Sequence, residues 1–276
     1  MIFEQLRNLK IMRENKLRTL IDKDKPSFGI NLTVDSPDIV EIIGKTGLVD
    51  YIEFEAEYMP YSLHSLDNIA RTTELYGMST MIKLDKENQG FTASRAIGSG
   101  FQNILFSDTK SKNEAMKCIS HVKADLGPNT GNFGSADRRF ASYGLESGTK
   151  EYVKYINDSV IALMIEKKEA VENLEEILSV PGIDMVVFGA NDYSMSLGKP
   201  GHIITNPEEI KNVALHVAKV ALKMGIQPRP SIGNPNQAAE FMELGVKHFC
   251  MGNDLIGLWQ WINTHFEELR KLVDKG

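Results

Sequence analysis

The chain has 276 residues, of which 42% are hydrophobic and 25% charged, with a formal net charge of −6 at pH 7. This composition is typical of a folded globular protein and excludes a fibrous or intrinsically disordered chain. The acidic balance argues against a nucleic-acid partner, and the lack of a long apolar run argues against a membrane span. Cys118 and Cys250 lie far apart in apolar segments, which predicts buried free thiols in a cytoplasmic protein.

Short apolar runs alternate with longer helical patterns along the chain, which is typical of a parallel α/β fold. Eight runs are predicted to be strands: Phe28–Leu32, Tyr51–Glu55, Thr80–Leu84, Asn103–Phe106, Val160–Ile165, Met185–Phe188, Gln227–Ser231 and Lys247–Met251. Eight strands over about 250 residues favour a (β/α)₈ TIM barrel over a doubly wound sheet, whose first turn is usually rich in glycine. Residues 1–276 are therefore expected to form a single TIM-barrel domain.

Two segments extend beyond a plain barrel. Residues 1–25 are predicted to be an amphipathic N-terminal helical extension that packs on the barrel or on a neighbouring subunit. Residues 123–150, between the fourth and fifth predicted strands, are rich in Gly, Asn, Ser and Arg. Because loops of this length are often lids or binding elements, we expect this one to lie over the mouth of the barrel.

Two carboxylates follow neighbouring predicted strands, at the barrel end where catalytic groups collect. Glu166 directly follows the fifth strand, and Asp192 comes shortly after the sixth. Such a pair suits a hard divalent ion, Mg²⁺ or Mn²⁺, with Co²⁺ as a further candidate. In the alternative, Glu166 caps the next helix and Asp192 stabilises a turn. Spacing alone leaves both interpretations open.

The segments around these carboxylates are VIALMIEKKEAVENLEEIL at 160–178 and GIDMVVFGANDYSMSLG at 182–198. They resemble the 4-hydroxy-2-oxoheptanedioate aldolase (HpcH/HpaI) family of phosphoenolpyruvate/pyruvate barrels, and weaker similarity covers roughly residues 15–270. The resemblance implies a class II aldolase, a carbon–carbon lyase in which Glu166 and Asp192 hold a divalent ion that stabilises the enolate of a pyruvate-like 2-oxo acid. It also implies that the backbone N–H groups of Asn191 and Asp192 bind the substrate carboxylate.

The sequence departs from the family pattern at the proton-transfer groups. Tyr58 stands at the position of the catalytic histidine, Lys83 replaces an arginine, and the aspartate that pairs with the histidine is missing near Gly98. Lys83 is expected to stabilise the enolate as a point charge, with a Schiff base as the alternative. Tyr58 is expected to act as general acid or base if a cation lowers its pKa, and otherwise packs at the rim. Glu57 either supports the metal site or is a solvated charge.

Two further predictions concern the substrate and the assembly. Arg229, between two prolines in the seventh predicted strand, is a candidate to neutralise a distal carboxylate of the substrate. The stretch 255–262 is apolar, and relatives assemble as hexamers built from dimers that exchange a C-terminal helix. The resemblance thus implies a homo-oligomer, a hexamer or trimer of dimers with a swapped C-terminal helix. Burial of this stretch against its own barrel stays open.

Two other functions fit the same residues. Loss of the histidine–aspartate pair permits a different reaction on the scaffold, such as decarboxylation, hydrolysis or synthesis with an oxaloacetate- or phosphonate-like substrate. The other possibility is a non-catalytic barrel that binds an oxo acid as a sensor or scaffold. The retained Glu166 and Asp192 argue against this last function.

Overall fold

The computed structural model describes residues 12–274. Nine parallel strands form one curled sheet in an α/β fold, consistent with a TIM-like barrel, in the order β7-β6-β5-β4-β3-β2-β1-β9-β8. The strands are β1 (Ser27–Leu32), β2 (Tyr51–Glu55), β3 (Ser79–Leu84), β4 (Asn103–Phe106), β5 (Val160–Ile165), β6 (Met185–Phe188), β7 (Gln227–Pro228), β8 (Ser231–Ile232) and β9 (His248–Asn253). The prediction of parallel strands in these positions is confirmed.

The predicted seventh strand is divided into β7 and β8. β7 pairs with β6 and β8 pairs with β9. Between them, the Arg229 N–H donates to the Val186 carbonyl at 2.8 Å, and the Pro230 carbonyl accepts from the Cys250 N–H at 3.1 Å. Because a proline has no N–H, Pro228 and Pro230 interrupt the ladder here. The two ends of the sheet order thus lie within residues 227–232.

Helices alternate with the strands. They are α1 (Lys16–Asp22), α2 (Pro37–Lys45), α3 (Leu63–Leu75), α4 (Gln89–Ser99), α5 (Lys112–Val122), α6 (Lys150–Asn157), α7 (Lys168–Glu172), α8 (Leu174–Leu178), α9 (Ala190–Ser196), α10 (His202–Thr205), α11 (Pro207–Lys223), α12 (Ala239–Glu243) and α13 (Asp254–Val273), with 3₁₀ turns at Arg139–Gly144 and Pro235–Ala238. Within residues 12–274, none of these helices has the length and apolar character that a membrane crossing requires.

The described part of the N-terminal extension packs at the amino end of the sheet. Leu17 of α1 is fully buried against side chains inside the curled sheet. Its N–H donates to Ser79 Oγ at 3.1 Å, and Asn15 Nδ2 donates to Asn103 Oδ1 at 2.8 Å. Ser79 and Asn103 begin β3 and β4, so α1 covers the end opposite to the strands' carboxyl ends. The remainder of the predicted extension, residues 1–11, lies outside the described residues.

The segment 123–149 does not lie over the mouth of the sheet, so that prediction is wrong. Arg139 donates to the Ser99 carbonyl at 3.0 Å and forms a bidentate ion pair with Glu74. Ser99 and Glu74 lie at the C-terminal ends of α4 and α3, which lead into the amino ends of β4 and β3. Arg138 pairs with Asp67 of α3 at 3.3 Å. Charge pairs with distant helices therefore hold this segment on the outer side of the fold.

The C-terminal helix α13 begins on the sheet and then leaves it. The Asp254 carboxylate accepts hydrogen bonds from the N–H groups of Thr33 and Val34, at 3.0 and 2.8 Å, which joins the start of α13 to the loop after β1. None of its residues is buried. Trp259 and Trp261 are 61% and 55% exposed. A long apolar helix face is thus uncovered by the described part of the chain.

Candidate active site

Glu166 is delivered to the carboxyl end of the sheet by the apolar strand β5. Its side chain is almost completely buried, with 3% of its surface exposed. Oε1 accepts a hydrogen bond of 2.6 Å from the Asp108 backbone N–H. The pKa of Glu166 is raised to about 7, with burial as the largest cause. The charges of Asp192 and Glu57 also raise it, while this hydrogen bond and the Lys83 charge oppose them. A nearby positive charge would therefore favour the ionised form of this carboxyl group.

Asp192 lies in the first turn of α9, beyond the carboxyl end of β6. Its Oδ1 accepts a 2.7 Å hydrogen bond from Lys167 Nζ. Asn191, beside it, has an exposed side chain. The backbone N–H groups of Asn191 and Asp192 fall among the first donors of the helix, which have no partner within it. They are therefore available to an acceptor outside the helix.

Gly189 leaves the space that the Glu166 side chain uses. A Cβ atom at position 189 would lie 2.5 Å from Glu166 Cβ and 2.7 Å from its Oε2, both far inside van der Waals contact. Gly189 is the single residue between β6 and α9. Because it has no side chain, the end of β6 can lie close to Glu166 without displacing the carboxylate. Sequence reasoning did not single out this glycine, although it precedes Asp192 by only three residues.

Lys83 occupies the end of β3, and its side chain is 8% exposed. Nζ lies 2.8 Å from Glu57 Oε2, 3.5 Å from Glu55 Oε2 and 4.6 Å from the centre of the Tyr58 ring. Burial alone lowers the pKa of Lys83, but the charges of Glu55 and Glu57 outweigh it and hold the pKa above its ordinary value. The amine is therefore an ammonium ion at neutral pH.

Tyr58 lies at the rim with 59% of its surface exposed. Lys83 is the neighbouring cation that the sequence predicted, yet the pKa of Tyr58 is raised to about 12 rather than lowered. Partial burial is the largest cause, and the Glu57 carboxylate adds to it, so the lowering effect of Lys83 is overcome. Near neutral pH this phenol keeps its proton.

Glu55 is a site residue that sequence reasoning left unassigned. Its pKa is raised to about 7, because burial and the Glu53 carboxylate outweigh the opposing charges of Lys83 and Arg229. Its Oε2 atom is buried without a hydrogen-bond partner among residues 12–274. Glu53 and Glu55 are two residues apart on β2 and so share one side of the strand. The two-residue spacing of Glu53 and Glu55, together with Lys83 on the next strand, could have identified Glu55 as a site residue from the sequence.

Arg229 does not reach the rim. Its side chain is fully buried, where it forms an ion pair with Glu53 and donates to Ser231 Oγ at 2.9 Å. The predicted contact with a distal substrate carboxylate therefore has no support in its position, because the guanidinium is committed to Glu53 inside the sheet.

All the predicted site residues except Arg229 lie at one end of the sheet. The charges of Lys83, Asp192 and Glu57 all act on Glu166. Among residues 12–274 there is no group of three or more His, Cys, Asp or Glu side chains arranged to hold a metal ion. A metal here would have two protein carboxylates as ligands, leaving its other positions to water or substrate. The oxygen donors, and the cradle that a Cβ at Gly189 would fill, fit a hard divalent cation.

A cavity lies away from these residues. It measures about 490 Å³ and lies between α11 and α12 against β6, β7 and β8. Its walls are mainly apolar, and it includes neither Glu166 nor Lys83. We place the candidate site at the clustered charged groups rather than in this cavity, because several buried titratable side chains meet there at the carboxyl ends of neighbouring strands. Arg229 also lines the cavity, but its guanidinium is paired with Glu53.

Comparison with known proteins identifies similar chains over most of the length. The model of the HpcH/HpaI aldolase/citrate lyase family matches residues 32–254. A 4-hydroxy-2-oxo-heptane-1,7-dioate aldolase of Shigella flexneri is 26% identical over 246 residues, which cover 87% of this chain and 88% of that relative. The crystal structure of an HpcH/HpaI aldolase from Desulfitobacterium hafniense DCB-2 matches with a TM-score of 0.82 at 21% identity, covering 93% and 97% of the two chains. The citrate synthase SbnG matches with a TM-score of 0.80 at 19% identity, covering 94% and 99%.

Proposed function

Because this chain belongs to the HpcH/HpaI aldolase/citrate lyase family, we propose that it is a metal-dependent carbon–carbon lyase, a class II aldolase, acting on a small 2-oxo acid. The observation that carries the proposal is the position of buried Glu166 and of Asp192 beyond the carboxyl ends of two paired strands, β5 and β6, where the Asp192 charge acts on Glu166. We also propose that residues 227–232 close the curled sheet into a single (β/α)₈ barrel domain, which would make these strand ends the mouth of the barrel.

Glu166 and Asp192 would hold Mg²⁺ or Mn²⁺, with Co²⁺ as a third candidate. When bound, the ion would act as a Lewis acid towards the carboxylate and carbonyl oxygens of the 2-oxo acid, and its positive charge would stabilise the enolate. The backbone N–H groups of Asn191 and Asp192 would bind the substrate carboxylate, since both belong to the first turn of α9.

Lys83 would stabilise the negative charge that develops on the oxo-acid oxygen. Its ammonium is shielded from water, and a charge acts more strongly where the surroundings are less polarisable. The raised pKa of Lys83 speaks against the alternative Schiff base, which needs a free amine as nucleophile. Glu57, 2.8 Å from Nζ, would position this ammonium.

Proton transfer would differ from that of relatives with a histidine. With a pKa raised to about 12, Tyr58 suits the role of a proton donor rather than that of a base. Glu55 and Glu166 both have pKa values of about 7, within the range that general acid–base catalysis needs. Since Glu166 would be a metal ligand, Glu55 is the better candidate for the base.

The test is a substrate survey on the full-length chain. Pyruvate is offered with a panel of aldehydes, and oxaloacetate decarboxylation is measured in parallel, with metal-loaded, EDTA-treated and borohydride-treated protein. Glu166→Gln and Asp192→Asn are compared with Glu169→Gln, which changes an exposed carboxylate of α7. Activity that requires metal, Glu166 and Asp192 supports the proposal. Activity that survives EDTA but is lost with borohydride would establish an imine at Lys83 instead.

A different reaction on the same site is the second candidate. It is favoured by Tyr58, which stands at the position of the family's catalytic histidine and whose raised pKa makes it a poor base at neutral pH. Decarboxylation, hydrolysis or synthesis with an oxaloacetate- or phosphonate-like substrate needs a stabilised enolate but not that histidine. Decarboxylation without any aldol product in the survey would select this candidate. Metal and pyruvate binding without turnover would indicate an oxo-acid-binding barrel.

We further propose that the chain forms a homo-oligomer, a hexamer or trimer of dimers, through exchange of α13. The exposed Trp259 and Trp261 support this, because a large uncovered apolar face normally meets a partner. Light scattering during size-exclusion chromatography should give a multiple of the 30.9 kDa chain. A Trp259→Glu/Trp261→Glu variant should fall to the monomer mass, and Lys271→Glu, at an exposed position of the same helix, should not. A monomeric wild-type chain would refute the proposal.

A further inference from the structure

Lys167 lies between two carboxylates at the candidate site. It directly follows Glu166, and its Nζ is 2.7 Å from Asp192 Oδ1 and 3.6 Å from Asp108 Oδ1. Its side chain is 25% exposed, so the ammonium is partly withdrawn from water. The same Asp192 carboxylate is thus a partner of Lys167 and the proposed ligand of a divalent ion.

Asp108 is built to receive a cation. It has a left-handed backbone conformation with φ of 57°, which directs its N–H at Glu166 Oε1. Its Oδ1 atom is buried and accepts no hydrogen bond from residues 12–274. Lys86 Nζ lies 3.3 Å from the other oxygen, Oδ2. Asp108 Oδ1 lies 3.6 Å from Lys167 Nζ and 4.0 Å from Lys110 Nζ, so it is an acceptor to which Lys167 can turn.

We propose that Lys167 is an internal counter-ion of Asp192 that a divalent metal displaces when it binds, and that Asp108 then accepts the displaced ammonium. The inference rests on the proposed function, since it takes Glu166 and Asp192 as metal ligands. A divalent ion and an ammonium repel each other at contact distance, so both cannot share Asp192 Oδ1. An ammonium left without a partner in a half-buried position is unfavourable, and Asp108 removes that penalty.

This arrangement fixes the sign of three effects on metal affinity. Lys167 competes with the ion and weakens binding, so its removal tightens binding. Asp108 stabilises the displaced Lys167 ammonium, so removal of the Asp108 charge weakens metal binding. The benefit of Asp108 passes through Lys167, and the effect of removing Asp108 should largely vanish once Lys167 is gone. A general attraction between the Asp108 charge and the metal would persist in that background.

The experiment is a titration of the full-length protein with Mn²⁺, in which the free ion is followed by electron paramagnetic resonance at constant pH and ionic strength. The variants are Lys167→Met, Asp108→Asn and the double variant. Asparagine keeps the shape of aspartate and tolerates the left-handed conformation. Lys168→Met is the matched control, because Lys168 is exposed and pairs with Glu172 on its own helix at 3.6 Å.

We expect Lys167→Met to bind Mn²⁺ about fivefold more tightly than the wild type, and Asp108→Asn about threefold more weakly. Asp108→Asn should change the affinity of the Lys167→Met protein by less than about twofold. Lys168→Met should match the wild type. Unchanged or weaker binding by Lys167→Met overturns the inference, as does an equal effect of Asp108→Asn in both backgrounds. If Asp108→Asn does not fold, the Lys167→Met result alone decides.

Failure of the inference differs from failure of the proposed function. Wild-type binding that Glu166→Gln abolishes but Lys167→Met leaves unchanged would keep the metal site and reject the counter-ion exchange. Absence of Mn²⁺ binding in both the wild type and Lys167→Met would reject the metal site, and the exchange with it.

Discussion

Glu53 of β2 and Arg229, between β7 and β8, form an ion pair inside the curled sheet, where their side chains are 2% and 0% exposed. These two residues are 176 positions apart in the chain. Each charge needs the other, because a single buried charge has neither water nor a counter-ion to stabilise it. The pair therefore fastens the divided seventh strand to the opposite part of the sheet.

Arg229→Met should lower the free energy of unfolding by about 3–5 kcal/mol, because it leaves the Glu53 charge buried without a partner. Urea denaturation measures this change. A Glu53→Leu/Arg229→Met double variant should recover most of the loss, since two apolar side chains can replace a buried pair. Wild-type stability of Arg229→Met combined with a raised KM for a dicarboxylic substrate would instead establish the predicted substrate contact.

Lys83→Met should lower kcat by about 10²–10³-fold, the range observed when a group that stabilises a developing negative charge is removed. Lys83→Arg should retain more activity, because it keeps the charge although not the shape of the ammonium. Lys45→Met, at an exposed position of α2, is the control. Steady-state kinetics of the four proteins give the comparison. Equal activity of Lys83→Met and wild type would remove Lys83 from the catalytic residues.

Gly189→Ala should weaken Mn²⁺ binding by about tenfold or more, because the new Cβ would displace the Glu166 carboxylate from its present place. Gly134→Ala is a suitable control, since nothing lies within 4 Å of its added Cβ. Isothermal titration with Mn²⁺ and a thermal melt of each variant separate a local effect from a loss of folding. Wild-type affinity in Gly189→Ala would show that the carboxylate position is not needed for binding.

His248 should make the protein less stable in mild acid. Burial, with a further contribution from Lys247, lowers the pKa of His248 to about 4 from its usual 6.5, while Asp24 opposes them. The unfolded chain therefore binds a proton that the folded chain refuses, and stability present above pH 6.5 is lost as the pH falls towards 4. A shift of this size corresponds to roughly 3 kcal/mol.

Urea denaturation at several values between pH 7.5 and 4.5 measures this loss. His248→Gln should remove most of it, because glutamine does not titrate, and it keeps a polar group near Ser27, whose Oγ lies 2.8 Å from His248 Nδ1. Parallel pH profiles of His248→Gln and wild type would show that His248 is not the cause.

The strands, and the placement of Glu166 and Asp192 after two neighbouring strands, could be predicted from the sequence. β2, β4, β5 and β6 were predicted with the bounds observed. β4, β5 and β6 are the largely apolar runs typical of buried parallel strands, and in β2 apolar residues alternate with Glu53 and Glu55. Since the carboxyl ends of parallel strands meet at one edge, a carboxylate after β5 and another after β6 were expected at the same end of the sheet. These are consequences of local pattern and of one topological rule.

Ion pairs between residues that are far apart in the sequence could not be predicted from local patterns. The pairing of Arg139 with Glu74 drew residues 123–149 away from the mouth, and the pairing of Arg229 with Glu53 withdrew an expected substrate contact into the interior. The alternation of side chains along a strand predicts which face of the sheet a residue occupies, but not which charged residue it pairs with. That choice depends on register and on the depth of each side chain, so the position of Lys167 between Asp192 and Asp108 emerged only when the chain was folded.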